Sequence, residues 1–221
     1  MTNSSLNPNE ITGFVRDWVD QNFSAECAFL AAMVQVATDN PPGDCAAHAA
    51  AATQRLEGLG LRVERFLPPK TAVDAVGMVS AVNLIVRHRF SASGPCIALN
   101  AHGDVVPPGL GWTHDPYGAT VLEDPAHGPV MYGRGVAVSK SDFATYAYAL
   151  LALRALAARG LGLGGSVELH LTYDEETGGD IGPRWLLEQG HSKPDYAIGA
   201  GFSYAVTTAH NGCLHLECTQ R

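Results

Sequence analysis

The 221-residue chain predicts an α/β fold, a three-layer sandwich around a mostly parallel sheet, incomplete over the length given. Three observations carry this expectation. Residues 96–100 are a short apolar run of strand length, and 167–172 alternate apolar with polar residues over a similar length. Between them, residues 139–159 place Phe143, Ala144, Ala147, Leu150, Leu151 and Leu153 at the helical period. Strands that alternate with helices bury their apolar faces most simply when the helices cover a parallel sheet.

Each element follows from local chemistry. Residues 11–37 read as helical, with an interruption at Asn22-Phe23-Ser24, where Ser24 can cap a second helix. Asn40-Pro41-Pro42-Gly43 ends that stretch, and Asp44 starts an alanine-rich helix that closes at Gly58 to Gly60. A short strand over 62–66 leads through a loop to another over 82–87. The unbroken apolar character of 96–100 suits a strand covered on both faces. After the long helix, 167–172 reads as a strand, 182–189 as a helix and 196–198 as a strand. Residues 213–219 alternate like a strand with nothing following to shield it, so the chain is expected to continue beyond Arg221 in its parent.

Composition narrows the function classes. Apolar residues make up 46% and charged residues 16%, which suits a folded globular chain and excludes general disorder. With 22 acidic against 14 basic side chains, the formal charge is −8, and neither nucleic acid nor an anionic membrane is expected as a partner. Such a balance suits metal cations or neutral and weakly cationic ligands, or simply a solvated acidic surface. Residues 1–10 are polar and lack the basic and apolar regions of a secretory signal, and the apolar run 143–153 is too short to span a bilayer. The five cysteines are odd in number and form no Cys-x-x-Cys pair, which points to reduced thiols and a cytoplasmic location.

Three segments at the carboxyl ends of strands could carry chemistry, since open α/β sheets place their ligands there. Ala101-His102-Gly103-Asp104 follows one strand. In extended backbone His102 and Asp104 share a face, so the carboxylate can accept one imidazole N–H and leave the other nitrogen free for a metal. Tyr173-Asp174-Glu175-Glu176-Thr177-Gly178-Gly179 follows another strand. Adjacent glutamates there point apart in extended chain, so one can bind metal while the other takes a proton. An ordinary acidic turn is the plainer alternative, although three consecutive carboxylates repel one another unless cations compensate. Tyr132-Gly133-Arg134-Gly135 forms a tight entrance to the long helix.

The order and wording of these segments resemble the M20 metallopeptidase family. The resemblance rests on His102-Gly103-Asp104-Val105-Val106-Pro107-Pro108-Gly109, Trp112, Asp115-Pro116-Tyr117, Tyr132-Gly133-Arg134-Gly135 and Asp174-Glu175-Glu176-Thr177-Gly178-Gly179. It implies an α/β catalytic domain interrupted by a smaller lid or dimerisation domain. On that basis residues 1–210 would be the N-terminal part of the catalytic domain, and 211–221 the first strand of the lid. The resemblance further implies His102 and Glu176 as metal ligands, Asp104 as the carboxylate that orients His102, and Glu175 as the general base. The implied cofactor is a pair of zinc ions, with cobalt or manganese as substitutes. The implied substrate is a small peptide or N-acyl amino acid, and the implied assembly a homodimer of the full-length protein.

Two positions depart from the family pattern. Val138 stands where the family places a metal-bridging aspartate, and an alkyl group cannot ligate. Asp142, about one helical turn on, is the substitute ligand to consider, with a solvated helix-start carboxylate as its plainer reading. Past the strand at 196–198, Gly199-Ala200-Gly201-Phe202-Ser203 offers no carboxylate where the family commonly has one. Weak metal binding and little hydrolysis are therefore expected of this chain alone. Two further readings compete. One is a noncatalytic M20-like paralogue or binding module; the other is a serine hydrolase built on Gly201-Phe202-Ser203-Tyr204-Ala205 and His210, which lacks the second glycine of a nucleophile elbow.

Overall fold

The computed structural model describes residues 7–199 together with Gly201, Thr208 and Cys218. In chain order the elements are α1 (Pro8–Val34), α2 (Ala46–Gly58), β1 (Val63–Phe66), α3 (Lys70–Ala75), β2 (Asn83–Arg89), β3 (Cys96–His102), β4 (Thr120–Asp124), β5 (Gly128–Tyr132), α4 (Lys140–Ala158), β6 (Ser166–Thr172), α5 (Pro183–Glu188) and β7 (Tyr196–Gly199). A single 3-10 turn, Glu175–Thr177, follows β6.

The start of α1 is fixed by a capping box: Asn7 Oδ1 accepts the amides of Asn9 and Glu10, and Glu10 Oε2 accepts the Asn7 amide at 2.8 Å. The predicted interruption at Asn22-Phe23-Ser24 does not occur. Asn22 Nδ2 donates back to Trp18 O at 2.8 Å, and α1 stays continuous because its inner face packs along α4 through Trp18, Phe29 and Tyr148. Two elements were not foreseen: α3, in the segment read as a loop, and the β4–β5 hairpin. The hairpin strands are mostly exposed or half-exposed, so burial writes no clear apolar alternation into them. Asp124 Oδ1 shapes the turn by accepting the amides of Ala126 and His127.

The main sheet has the order β1-β2-β6-β3-β7. β2 pairs antiparallel with both β1 and β6, whereas β3 pairs parallel with β6 and β7. Four strands therefore point one way and β2 alone runs against them, which bears out the mostly parallel α/β sandwich. Helices α1, α2 and α4 cover one face, where Met33, Leu56, Phe143, Ala147 and Leu150 meet Leu84, Val86, Leu169 and Leu171. The opposite face carries a polar knot: Glu168 accepts Arg87 Nε at 2.9 Å, His170 Nε2 at 2.9 Å and Ser192 Oγ at 2.6 Å. Burial alone would raise the Glu168 carboxyl, but these three donors hold it down at about 2.

Lys140, at the first turn of α4, is buried and donates to Met33 O at 3.2 Å and Val36 O at 3.0 Å. It thus neutralises carbonyls at the C-terminal end of α1, where the helix dipole favours a cation. Burial lowers its pKa to about 8. Among the described residues no helix is long and apolar enough to cross a membrane.

Candidate metal centre

The site forms where β3 and β6 end side by side. Their parallel register sets His102 opposite Thr172, so the turn after each strand starts at the same level. The chain then needs room to bend. A Cβ on Gly103 would sit 2.7 Å from the Tyr173 ring, and one on Gly182 would sit 2.5 Å from Tyr173 O, so both close approaches require glycine. Asp174 takes the left-handed conformation, φ 92°. Its carboxylate stabilises that bend, accepting Thr177 Oγ1 at 2.5 Å and the Ile181 amide at 2.7 Å.

This bend disposes of one of the three consecutive carboxylates. Asp174 turns inward and is buried, while Glu175 and Glu176 continue on the 3-10 turn rather than in extended chain. His102 Nδ1 lies 2.8 Å from the carbonyl oxygen of Asp104 and 3.5 Å from its Oδ1. Placing the proton on Nδ1 satisfies the carbonyl and leaves Nε2 free; Nε2 faces Glu175 Oε2 at 3.8 Å. Ligand atoms of His102, Glu175 and Glu176 all lie within 4.8 Å of one another.

Asp104 is the hub beneath them, with no exposed surface. Its Oδ2 accepts Asn40 Nδ2 at 2.9 Å and the Glu176 amide at 3.2 Å, and its Oδ1 accepts the Glu175 amide at 3.4 Å. With both oxygens engaged, Asp104 organises the site rather than facing a ligand. Burial alone would raise its pKa, but the adjoining His102 ring and the hydrogen bond from Asn40 lower it. Burial would lower His102, yet the adjoining Asp104 and the charge of Glu175 raise it overall. Glu176 is raised, first by burial and then by repulsion from Glu175 and Asp104. An imidazole and a carboxyl that both hold protons more tightly than usual mark a pocket of negative potential, which a cation would relieve.

The residue types suit a divalent ion: an imidazole nitrogen and a carboxylate to hold it, the mixed N/O set that zinc accepts, with a second carboxylate beside it. The other positions singled out by the sequence are not members of this group. Val138 has a side chain without a donor and is 37% exposed. Asp142 stands in the first turn of α4, its carboxyl raised by burial, and is not part of the three-residue group. Gly201 is exposed beyond β7. Ser203, Ala205, His210 and, apart from Cys218, the strand expected over 213–219 lie outside the described residues, as does the division expected at 210/211.

Several supporting residues carry no motif that betrays them. Asn40 also donates to Thr177 Oγ1 at 3.3 Å, and Thr38 Oγ1 donates to Gly103 O at 2.6 Å. Ser139 Oγ accepts the His102 amide at 3.2 Å. In the sequence, Asn40 marks only a helix stop beside two prolines.

Residues 98–210 match peptidase family M20/M25/M40. Succinyl-diaminopimelate desuccinylase of Methylobacterium nodulans is 44% identical over 90 residues, which cover 40% of this chain and 21% of that protein. The Gluconobacter oxydans succinyl-diaminopimelate desuccinylase is 36% identical over 150 residues, 65% of this chain and 34% of that protein. The chain thus spans about a third or less of these curated relatives. In fold it is similar to human carnosine dipeptidase 1, with a TM-score of 0.67 and 21% identity over 85% of this chain and 40% of that one.

Proposed function

Because the chain belongs to peptidase family M20/M25/M40, we propose that it is part of a metal-dependent hydrolase of amide bonds in small peptides or N-acyl amino acids. One observation carries this reading: His102 Nε2 and two carboxylates converge within 4.8 Å at the tips of adjacent parallel strands. A divalent cation there, zinc or else cobalt or manganese, would supply the Lewis acidity that polarises the scissile carbonyl. His102 and Glu176 would hold it, and the family resemblance implies two such ions in the complete site.

Glu175 is the proton carrier. Its side chain is 59% exposed and its backbone amide is fixed to Asp104, so the carboxylate meets solvent from an anchored turn. There it takes the proton of the attacking water and returns it to the departing amine. Asp104 keeps the His102 ring in one tautomer and orientation. A cytoplasmic location and a homodimer of the full-length protein accompany this reading.

The noncatalytic module remains a second reading, favoured by Val138, which brings no donor to the cleft. Isothermal titration of the full-length protein with zinc, followed by its assay on an N-succinyl amino acid and a dipeptide, separates the two. Saturable binding that His102→Ala abolishes, together with amide cleavage, supports the hydrolase. Zinc binding without cleavage favours the module, and no zinc binding at all overturns the metal site.

A further inference from the structure

We infer that Asn40 is a positioning residue of the metal centre, acting through Asp104 and Thr177 to hold the His102 turn and the glutamate turn in one arrangement. The inference rests on the metal-centre reading above and adds a residue to it.

The two halves of the centre come from separate strand ends, and little covalent chain fixes them to each other. Asn40 spans them. It is 3% exposed, and its Nδ2 donates to Asp104 Oδ2 at 2.9 Å on one side and to Thr177 Oγ1 at 3.3 Å on the other. A carboxamide nitrogen has two hydrogens, and both are used across the join. Thr177 follows Glu176 directly and in turn donates to Asp174 Oδ1 at 2.5 Å. Asp104 meanwhile accepts the Glu175 and Glu176 amides and adjoins the His102 ring. The carboxamide therefore touches the group that orients the imidazole and the residue beside the ligand carboxylate.

Asn40 is itself held by the main chain. Its amide donates to Val105 O at 2.8 Å, and Val105 N donates to Thr38 O at 3.0 Å, which lays residues 38–40 alongside 103–105. Side-chain freedom is lost before any cation arrives. Removing the bridge would let the imidazole and the glutamates drift apart by the few tenths of an ångström that decide coordination.

Thr53 provides the control, since it makes a buried hydrogen bond within α2 to a backbone atom, Ala49 O at 2.8 Å, outside the metal centre. The test measures the zinc dissociation constant of the whole chain by competition with a chromophoric chelator, alongside urea unfolding. Asn40→Ala is expected to weaken zinc about 10- to 100-fold, the range for loss of an outer partner of a metal ligand. Thr53→Val should destabilise the fold yet leave zinc affinity within about threefold, as loss of a hydrogen bond outside the centre requires. Should Asn40→Ala fail to fold, the near-isosteric Thr177→Val cuts the same bridge at its other end and should weaken zinc by about 3- to 10-fold. Unchanged affinity in folded Asn40→Ala or Thr177→Val, or an equal loss in Thr53→Val, would overturn the positioning role while leaving the metal centre standing. A wild-type chain that binds no zinc would remove both.

Discussion

The hydroxyl of Tyr173 lies 2.7 Å from Nδ1 of His48, and both rings are buried beneath Gly103. The pair joins α2 to the end of β6, just before the chain bends into the metal centre. Burial holds the His48 imidazole neutral and the Tyr173 phenol protonated, so this is a contact between uncharged groups.

Tyr173→Phe deletes the hydroxyl and leaves His48 Nδ1 without its partner. The expected cost is about 1–3 kcal/mol of folding stability, the penalty for a buried polar atom left unpaired. Urea denaturation of the two chains measures it, and a difference below about 0.5 kcal/mol would show that the pair contributes nothing net.

Gly103→Ala places a methyl group 2.7 Å from the Tyr173 ring. Either the ring or the His102–Asp104 turn must move, at an expected cost of about 1–3 kcal/mol. Zinc affinity should fall with stability, because the turn that moves carries the ligand. A variant with unchanged midpoint and unchanged zinc binding would mean that the turn has slack to spare.

Glu168 gives a stability term of known sign in acid. Its folded pKa of about 2 lies below the ordinary value of 4.5, so the native state favours the charged form. The contribution is complete above the unfolded value and disappears as pH falls through that window towards about 2. Its size is on the order of 3 kcal/mol. The stability gap between wild type and Glu168→Gln should therefore narrow from pH 7 to pH 3, as followed by urea midpoints. A constant gap would show that the charge is not what the knot requires.

Cation binding should depend on pH through His102. Its pKa is raised, so protons compete with metal from a pH above the ordinary imidazole range downwards. Below that point zinc affinity should fall about tenfold per pH unit, one proton being displaced per ion bound. Raised Glu176 adds a second competing proton further into acid. Titration calorimetry at several pH values checks this, and an affinity flat from pH 5.5 to 8.5 would exclude His102 as a ligand.

The sequence showed some of this plainly and hid the rest for physical reasons. Strands β3 and β6 and helix α4 were legible because burial writes an apolar run, an alternation and a helical period into them respectively. His102, Glu175 and Glu176 were legible because reactive side chains sit at strand ends. The β4–β5 hairpin was not, because exposed strands carry little pattern. Nor was the continuity of α1 through Ser24, since a residue able to cap says nothing about the packing that overrides it. Asn40 and His48 were invisible for a third reason: each acts across 64 or more residues of chain, through a partner that no local window contains.

The one-to-one pairing of β3 with β6 also limits how this protein can change. Side chains alternate along β3, and Ala101 already faces the helix-covered core. A single residue inserted or deleted between Cys96 and His102 would swing the imidazole to that side, among Phe143 and Leu169, beyond reach of either glutamate. Substitutions within β3 can be absorbed singly, but a change of length by one would dismantle the centre in a single step.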